Sequence, residues 1–344
     1  MVGSMAMSKH DLDKKRVAQC LAERIEGFAG PLAIERLQGG QSNPTYLLTT
    51  PGARYVLRRK PSGKLLPSAH AVDREHRIMS ALAATDVPVP RTYFYSDDAS
   101  VVGTPFFVME FIEGRQFSGP ELAGLSSVER RGVYESAVDL LASLHRVDYA
   151  AVGLADYGRP GDYYARQIRR WTQQYEQAGE APLEAMRNLI TWLPKNIPAS
   201  DETTIVHGDF RINNFIIHPR EPRIIGLLDW ELSTLGHPLA DLAYSCLLYH
   251  LRRDLNGLAD ADLAALGVPS EDEMVARYCR RTGRDGIPNW HFYVAFALFR
   301  TAAILFGIAA RAREGTASNP AAEAEGRLAG PTAEIGWRLV ERRQ

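Results

Sequence analysis

The chain has 344 residues, 45% apolar and 24% charged, an ordinary globular composition at a length suited to about two domains. Its 40 Lys and Arg against 41 Asp and Glu give a net charge of −1, so the basic excess of a dedicated nucleic-acid binder is absent and no nucleic-acid partner is expected. Cys20, Cys246 and Cys279 form no CxxC pair and no zinc spacing, which reads as buried, reduced thiols rather than a metal or disulfide framework.

The first 20 residues carry no apolar run of the kind a signal peptide needs. Residues 11–28 have apolar side chains at helical spacing, and a leading helix is expected within residues 1–29. A strand, the Gly-rich turn Gly39-Gly40-Gln41-Ser42-Asn43 and a second strand follow, then RYVLRRK as a third strand. Residues 69–85 read as a helix with Val72, His76, Met79 and Leu82 on one face. Two more strands, joined by a polar turn, end in the run 105–111, apolar but for Glu110.

Beyond Gly114 the pattern turns helical, with amphipathic segments at 127–145, 163–178 and 183–193. A polar, β-rich island at 203–234 interrupts it, and helices resume at 239–251, 272–282 and 289–313. The apolar stretch 290–310 carries Arg300 at its middle, where a charge would cost roughly 3 kcal/mol in lipid. A buried helix, no membrane partner and a cytoplasmic location are therefore expected. Residues 314–330 are small and polar and read as a mobile surface stretch. The expected fold is α+β, with a β-rich lobe at 1–112 and a mainly helical lobe at 113–344.

The chemistry concentrates in IVHGDFRINNFIIHPREPRIIGLLDWE. Asp209 follows a glycine at a sharp turn, Asn214 lies five residues on, and Asp229 ends the next apolar run. Two carboxylates and a carboxamide on neighbouring strand ends make a hard oxygen site of the kind that suits Mg²⁺ and phosphate. One Asp free to orient a hydroxyl, with an Asn and a second Asp for metal, is the division of labour of phosphoryl transfer. Loop carboxylates and turn residues that only satisfy backbone groups are the plainer reading of each residue taken singly.

HGDFRINN with LLDWE resembles the aminoglycoside phosphotransferase and choline kinase family, relatives of the protein kinases, over about residues 30–310. The stretch YVLRRKPSGKLLPSAHAVDREHRIMSAL is similar to the branch that accompanies long acyl-CoA dehydrogenases. The resemblance implies a bilobal, protein-kinase-like fold, ATP and Mg²⁺ as cofactors, and a small-molecule hydroxyl acceptor. Hydroxyacyl thioesters and hydroxy acids lead among acceptors, with a functional link to an acyl-CoA dehydrogenase. It assigns Asp209 and Arg211 to catalysis and Asn214 and Asp229 to metal. It assigns Gly39, Gly40, Gln41, Ser42 and Asn43 to a phosphate-covering loop, Arg58 and Glu75 to a phosphate-contacting pair, and Glu110 and Ile112 to the adenine-binding hinge. Arg58 stands where the family carries a lysine, and Arg binds phosphate with a different geometry, so Lys60 and Lys64 stay open as alternatives. His207 and Asp241 match residues that brace the catalytic loop.

No long activation segment follows Asp229, which disfavours protein substrates. Two other readings remain. One is a catalytically silent nucleotide-binding regulator, motivated by Arg58. The other is a metal-dependent phosphohydrolase built on His207, Asp209, Asp229 and His237.

Overall fold

The computed structural model describes residues 12–37, 43–62, 71–179, 183–315 and 321–342. Two compact units emerge: the described residues of Met1–Ala83 with Val89–Ile112, and those of Ala84–Pro88 with Glu113–Gln344. The short segment Ala84–Pro88 goes with the larger unit, where the Pro88 carbonyl accepts the Leu227 N–H at 2.8 Å.

In the smaller unit, α1 (Lys14–Arg24) starts where the Asp13 carboxylate accepts the Lys15 and Arg16 N–H groups. It stops at Ile25, whose backbone is extended, so it is shorter than the apolar spacing predicts. Then come β1 (Ala33–Arg36), β2 (Thr45–Thr49), β3 (Arg54–Arg59), α2 (Val72–Leu82), β4 (Thr92–Ser96), α3 (Ala99–Val102) and β5 (Phe106–Glu110). The strands form one antiparallel sheet in the order β1-β2-β3-β5-β4. Period-two alternation sends Tyr46, Leu48 and Leu57 to the face covered by Val17 and Leu21 of α1. Strand β5 is buried from Phe106 to Met109 because α2 packs on the other face. The expected polar turn between β4 and β5 contains α3. Asp98 caps it by accepting the Ser100 N–H, and left-handed Gly103 closes it, a short helix written in D-A-S-V-V-G.

The larger unit begins with α4 (Ser127–His145), opened by a Ser126/Glu129 capping box, and continues with α5 (Tyr163–Gln177) and α6 (Glu184–Trp192). The island follows as β6 (Thr204–Val206), β7 (Phe215–Ile217), β8 (Ile224–Leu227) and β9 (Thr234–Gly236), paired antiparallel as β6–β9 and β7–β8. The remaining helices are α7 (Leu239–Ser245), α8 (Leu263–Leu266), α9 (Glu271–Thr282), α10 (Trp290–Arg313), α11 (Ala322–Gly326) and α12 (Ala329–Glu341). The helix expected at 239–251 ends at Ser245 and tightens into a 3₁₀ turn over Cys246–Tyr249.

Helix α10 is long and apolar enough to span a membrane, but 67% of its most apolar window is buried under neighbouring helices, including α5, α7, α11 and α12. Of the stretch 314–330 read as mobile, residues 316–320 lie outside the described residues, 314–315 form a turn, and α11 and the start of α12 account for most of 321–330. Small residues there serve close packing: a Cβ on Gly326 would meet the Ala309 Cβ at 2.6 Å.

Candidate active site

Strand β6 delivers the chain into the turn His207-Gly208-Asp209. Gly208 has φ +83°, and a Cβ there would sit 2.7 Å from the Leu232 carbonyl oxygen, so only glycine turns the chain here. Three buried groups hold the turn's backbone. The Asp241 carboxylate accepts the His207 N–H at 2.6 Å and the Gly208 N–H at 2.9 Å. The Gly208 carbonyl accepts from Arg300 Nη2 at 2.6 Å. His207 Nδ1 accepts the Asp209 N–H at 3.2 Å and Nε2 lies 3.0 Å from the Leu228 carbonyl, so the ring bridges two loops and neither nitrogen faces a metal.

The Asp209 carboxylate, 16% exposed, is held by two hydrogen-bond donors and one ion pair. Oδ1 accepts from the Tyr244 hydroxyl at 2.7 Å and lies 3.2 Å from Arg211 Nε. Oδ2 accepts from Asn214 Nδ2 at 2.9 Å. Burial alone would raise its pKa, but the Arg211 charge and the Tyr244 hydrogen bond outweigh burial and hold it below the usual carboxylate value. The second Nδ2 proton of Asn214 goes to the Asp209 carbonyl at 2.8 Å, so both amide protons are engaged and Oδ1 is the atom left to bind a cation.

Asp229 adopts the left-handed region at φ 65°, ψ 62°, a conformation Asp tolerates better than most residues and one that often marks functional turns. Its neighbours hold it there: the Leu228 N–H donates to the Asn214 carbonyl at 2.9 Å, and Trp230 Nε1 donates to the Leu227 carbonyl at 3.0 Å. The fold thus ties Asp209, Arg211, Asn214 and Asp229 into one loop system. Among the described residues no cluster of three His, Cys, Asp or Glu could hold a metal. An Asn–Asp oxygen pair fits Mg²⁺, which keeps waters and takes phosphate oxygens rather than filling an all-protein cage.

In the smaller unit, Arg58 Nε lies 3.0 Å from Glu75 Oε2, and Asn43 Nδ2 donates to Glu75 Oε1 at 2.6 Å. Glu75 and Asn43 are buried and Arg58 is 12% exposed, so α2 and β3 are joined by a largely desolvated pair. Arg59, one residue on, points to the other face, where its guanidinium lies over the Tyr46 ring and donates to the Val102 carbonyl. Glu110 ends β5 with its N–H donating to the Arg91 carbonyl at 2.8 Å and its carboxylate accepting the Arg91 N–H at 3.2 Å. Half-buried Ile112 follows Phe111, whose ring lies 4.3 Å beneath the Arg54 guanidinium. Gly39, Gly40, Gln41, Ser42 and Lys64 lie outside the described residues.

His237 stands apart from this chemistry. Its Nδ1 accepts the Leu239 N–H at 3.3 Å and its ring lies against Tyr164 and Tyr293. Burial pushes its pKa from 6.5 down to about 4. Between those values the unfolded chain takes up a proton that the folded chain refuses, so stability falls as pH falls through that window. The linkage amounts to about 3 kcal/mol. His237→Asn keeps an acceptor for Leu239, and urea unfolding at pH 7 and pH 4.5 is expected to show a clearly smaller acid loss than in the parent. A cavity of about 490 Å³ between α5 and α6, lined by residues such as Ile168, Arg169 and Ile190, includes none of the groups around Asp209.

Sequence reasoning missed Tyr244 and Arg300 as site residues. Tyr244 reads as one more core aromatic, and its signal is the three-residue spacing from Asp241 on one helix face. Arg300 reads only as a charge that spoils a membrane span. An Arg inside an apolar helix also announces a buried partner, here the Gly208 carbonyl.

Residues 33–290 match the Phosphotransferase enzyme family, and the chain belongs to it. The mouse (Mus musculus) Acyl-CoA dehydrogenase family member 10 is 45% identical over 311 residues, 90% of this chain and 29% of that protein. The chain spans 29 to 44% of the lengths of the curated relatives it matches. A crystal structure from Ralstonia eutropha, provisionally named an aminoglycoside phosphotransferase, superposes at a TM-score of 0.89 with 45% identity, covering 96% of this chain and 99% of that one. A thermostable mutant of aminoglycoside phosphotransferase APH(4)-Ia, crystallised with AMP-PNP and hygromycin B, superposes at 0.61 with 14% identity over 94% of this chain and 98% of that one, a likeness of fold. The fold is the α+β, protein-kinase-like one that the resemblance implied.

Proposed function

We propose that the chain is an ATP-dependent small-molecule kinase that moves the γ-phosphoryl group to an acceptor hydroxyl. The observation that carries this reading is the cradle around Asp209: a carboxylate kept ionised in a half-dry turn, next to an Asn whose amide orientation is fixed by it. Asp209 accepts the hydroxyl proton as the acceptor oxygen attacks phosphorus and the bond to ADP breaks, and it later releases that proton to solvent. Asn214 Oδ1 and the Asp229 carboxylate would hold Mg²⁺, which would supply charge neutralisation on the nucleotide phosphates. Arg211, half exposed beside Asp209, adds positive charge for the transferring group. The nucleotide complex of the APH(4)-Ia structure supports ATP as donor. The acyl-CoA dehydrogenase names of the relatives support a hydroxyacyl thioester or hydroxy acid as acceptor.

Thermal unfolding with and without Mg·ATP tests the donor half of the reading. A ligand at a hundred times its Kd stabilises the native state by about 2.7 kcal/mol, which raises the midpoint by a few degrees. Asp229→Asn is expected to abolish most of that shift, and Asn is preferred to Ala because it tolerates the left-handed backbone at this position. Equal shifts in parent and variant contradict the metal assignment, and no shift in either contradicts nucleotide binding. A panel of hydroxyacyl thioesters, hydroxy acids, sugars and amino alcohols then tests the acceptor.

A further inference from the structure

We propose that Tyr244 is a positioning residue for Asp209: its hydroxyl, steadied by Arg300, reserves Oδ1 and leaves Oδ2 to receive the acceptor's proton. The inference rests on the reading of Asp209 as the proton acceptor and adds which oxygen acts and what fixes it.

A carboxylate offers about four acceptor positions. Oδ1 accepts from Tyr244 Oη at 2.7 Å and has the Arg211 Nε charge beside it at 3.2 Å, while Oδ2 accepts from Asn214 Nδ2 at 2.9 Å. The less crowded oxygen is therefore Oδ2. The two groups beside Oδ1 differ in kind. Arg211 is 50% exposed, so its hold is screened and its charge is free to turn toward a phosphoryl group. Tyr244 sits on α7 three residues beyond Asp241, which itself holds the His207 and Gly208 N–H groups.

The Arg300 guanidinium lies 5.3 Å from the Tyr244 ring centroid and 5.6 Å from that of Trp171, while its Nη2 binds the Gly208 carbonyl. One buried cation from α10 thus holds both the backbone of the turn and the ring whose hydroxyl aims its carboxylate. The phenol stays protonated because burial and the neighbouring carboxylate push its pKa up, so it acts as a donor throughout. When Arg211 turns away, Tyr244 is the donor that keeps Oδ1 in place, opposite the Asn214 donor on Oδ2. In the transfer step the acceptor's O–H proton passes to Oδ2, the acceptor oxygen bonds to the γ-phosphorus, and the phosphorus–oxygen bond to ADP breaks.

Tyr244→Phe removes the hydroxyl and keeps the ring beside Arg300. Tyr249→Phe is the matched control, since that hydroxyl donates to the Pro269 carbonyl at 2.8 Å, away from the turn. The readouts are phosphoryl transfer to the best acceptor of the panel, hydrolysis of Mg·ATP with water as acceptor, KM for ATP and the Mg·ATP thermal shift. Tyr244→Phe is expected to lower kcat by about tenfold, leaving KM for ATP and the thermal shift within about twofold of the parent, with the control at the parent rate. In an Asp209→Asn background the same substitution is expected to change the residual rate less than about twofold, because residues acting as a unit are non-additive.

A parent-like kcat in Tyr244→Phe overturns the assignment. So does a joint fall of kcat, ATP affinity and melting midpoint, or a full additive loss in the Asp209→Asn background. A parent protein that neither binds nor turns over Mg·ATP overturns the proposed function and this assignment with it, whereas an active parent matched by the variant overturns this assignment alone.

Discussion

Asp209→Asn is expected to lower kcat for phosphoryl transfer by about a thousandfold while Mg·ATP still raises the melting midpoint. A positioned general base contributes roughly 10²–10⁴ in rate, and an amide at this position cannot accept the hydroxyl proton. The substitution also creates a local conflict. An amide nitrogen in place of Oδ2 would face Asn214 Nδ2 at 2.9 Å, donor against donor. The amide flips to avoid this, and its nitrogen then faces Arg211, while the Tyr244 hydroxyl can rotate to accept. The carboxylate's pKa is depressed in the folded state, so its charge stabilises the fold above the unfolded carboxylate range and that contribution is lost as pH falls through the folded pKa. Removing the charge therefore costs some stability at neutral pH and progressively less as pH falls below the usual carboxylate range. The decisive comparison is rate against nucleotide binding. A variant that turns over within about tenfold of the parent rules out Asp209 as the base, and a variant that loses both the rate and the Mg·ATP shift shows that its role is structural.

Much of this was legible in the sequence because the informative residues are close together along the chain. The spacing from His207 through Asn214 to Asp229 fits one turn, one 3₁₀ step and one two-stranded ladder, so local geometry alone brings these groups together. The strands of the β1–β5 sheet were readable from their turns and apolar runs, and α4 from its amphipathic spacing. What escaped reading came from distant segments. Arg300 and Tyr244 reach the turn from α10 and α7, and nothing in a linear pattern says which aromatic or which buried cation will arrive. The helix Ala322–Gly326 was not read because small residues signal loop and close helix packing alike, and only the partner helix decides between them. His237 and Asp241 sit four apart, as a helical ligand pair would, yet their partners are a backbone N–H of the same turn and the backbone of the His207 turn.

Asp241→Asn carries the second large effect, and its signature differs from that of Asp209→Asn. Asp241 is 1% exposed and accepts two backbone N–H groups, with His145 Nε2 at 3.5 Å from the same carboxylate. An Asn keeps one acceptor oxygen for one of those donors and turns an NH₂ toward the other. A buried donor left without a partner costs about 1–3 kcal/mol, and a bond to a charged acceptor is worth more than one to a neutral amide. The variant is therefore expected to lose about 3 kcal/mol in urea unfolding. For a chain of this size that corresponds to a midpoint several degrees lower. The rate is expected to fall as well, by about a hundredfold, since small misplacements of a catalytic group are costly and the freed His207–Gly208 backbone carries Asp209. Asp209→Asn thus removes rate with little stability, whereas Asp241→Asn removes both. A nonreacting ATP analogue with Mg²⁺ should recover the melting midpoint of Asp241→Asn, whereas turnover measured separately with saturating Mg·ATP below that midpoint should stay low, because bound ligand favours the folded state without replacing the missing acceptor. A variant as stable and as fast as the parent would mean that the turn is held by Arg300 and His207 alone.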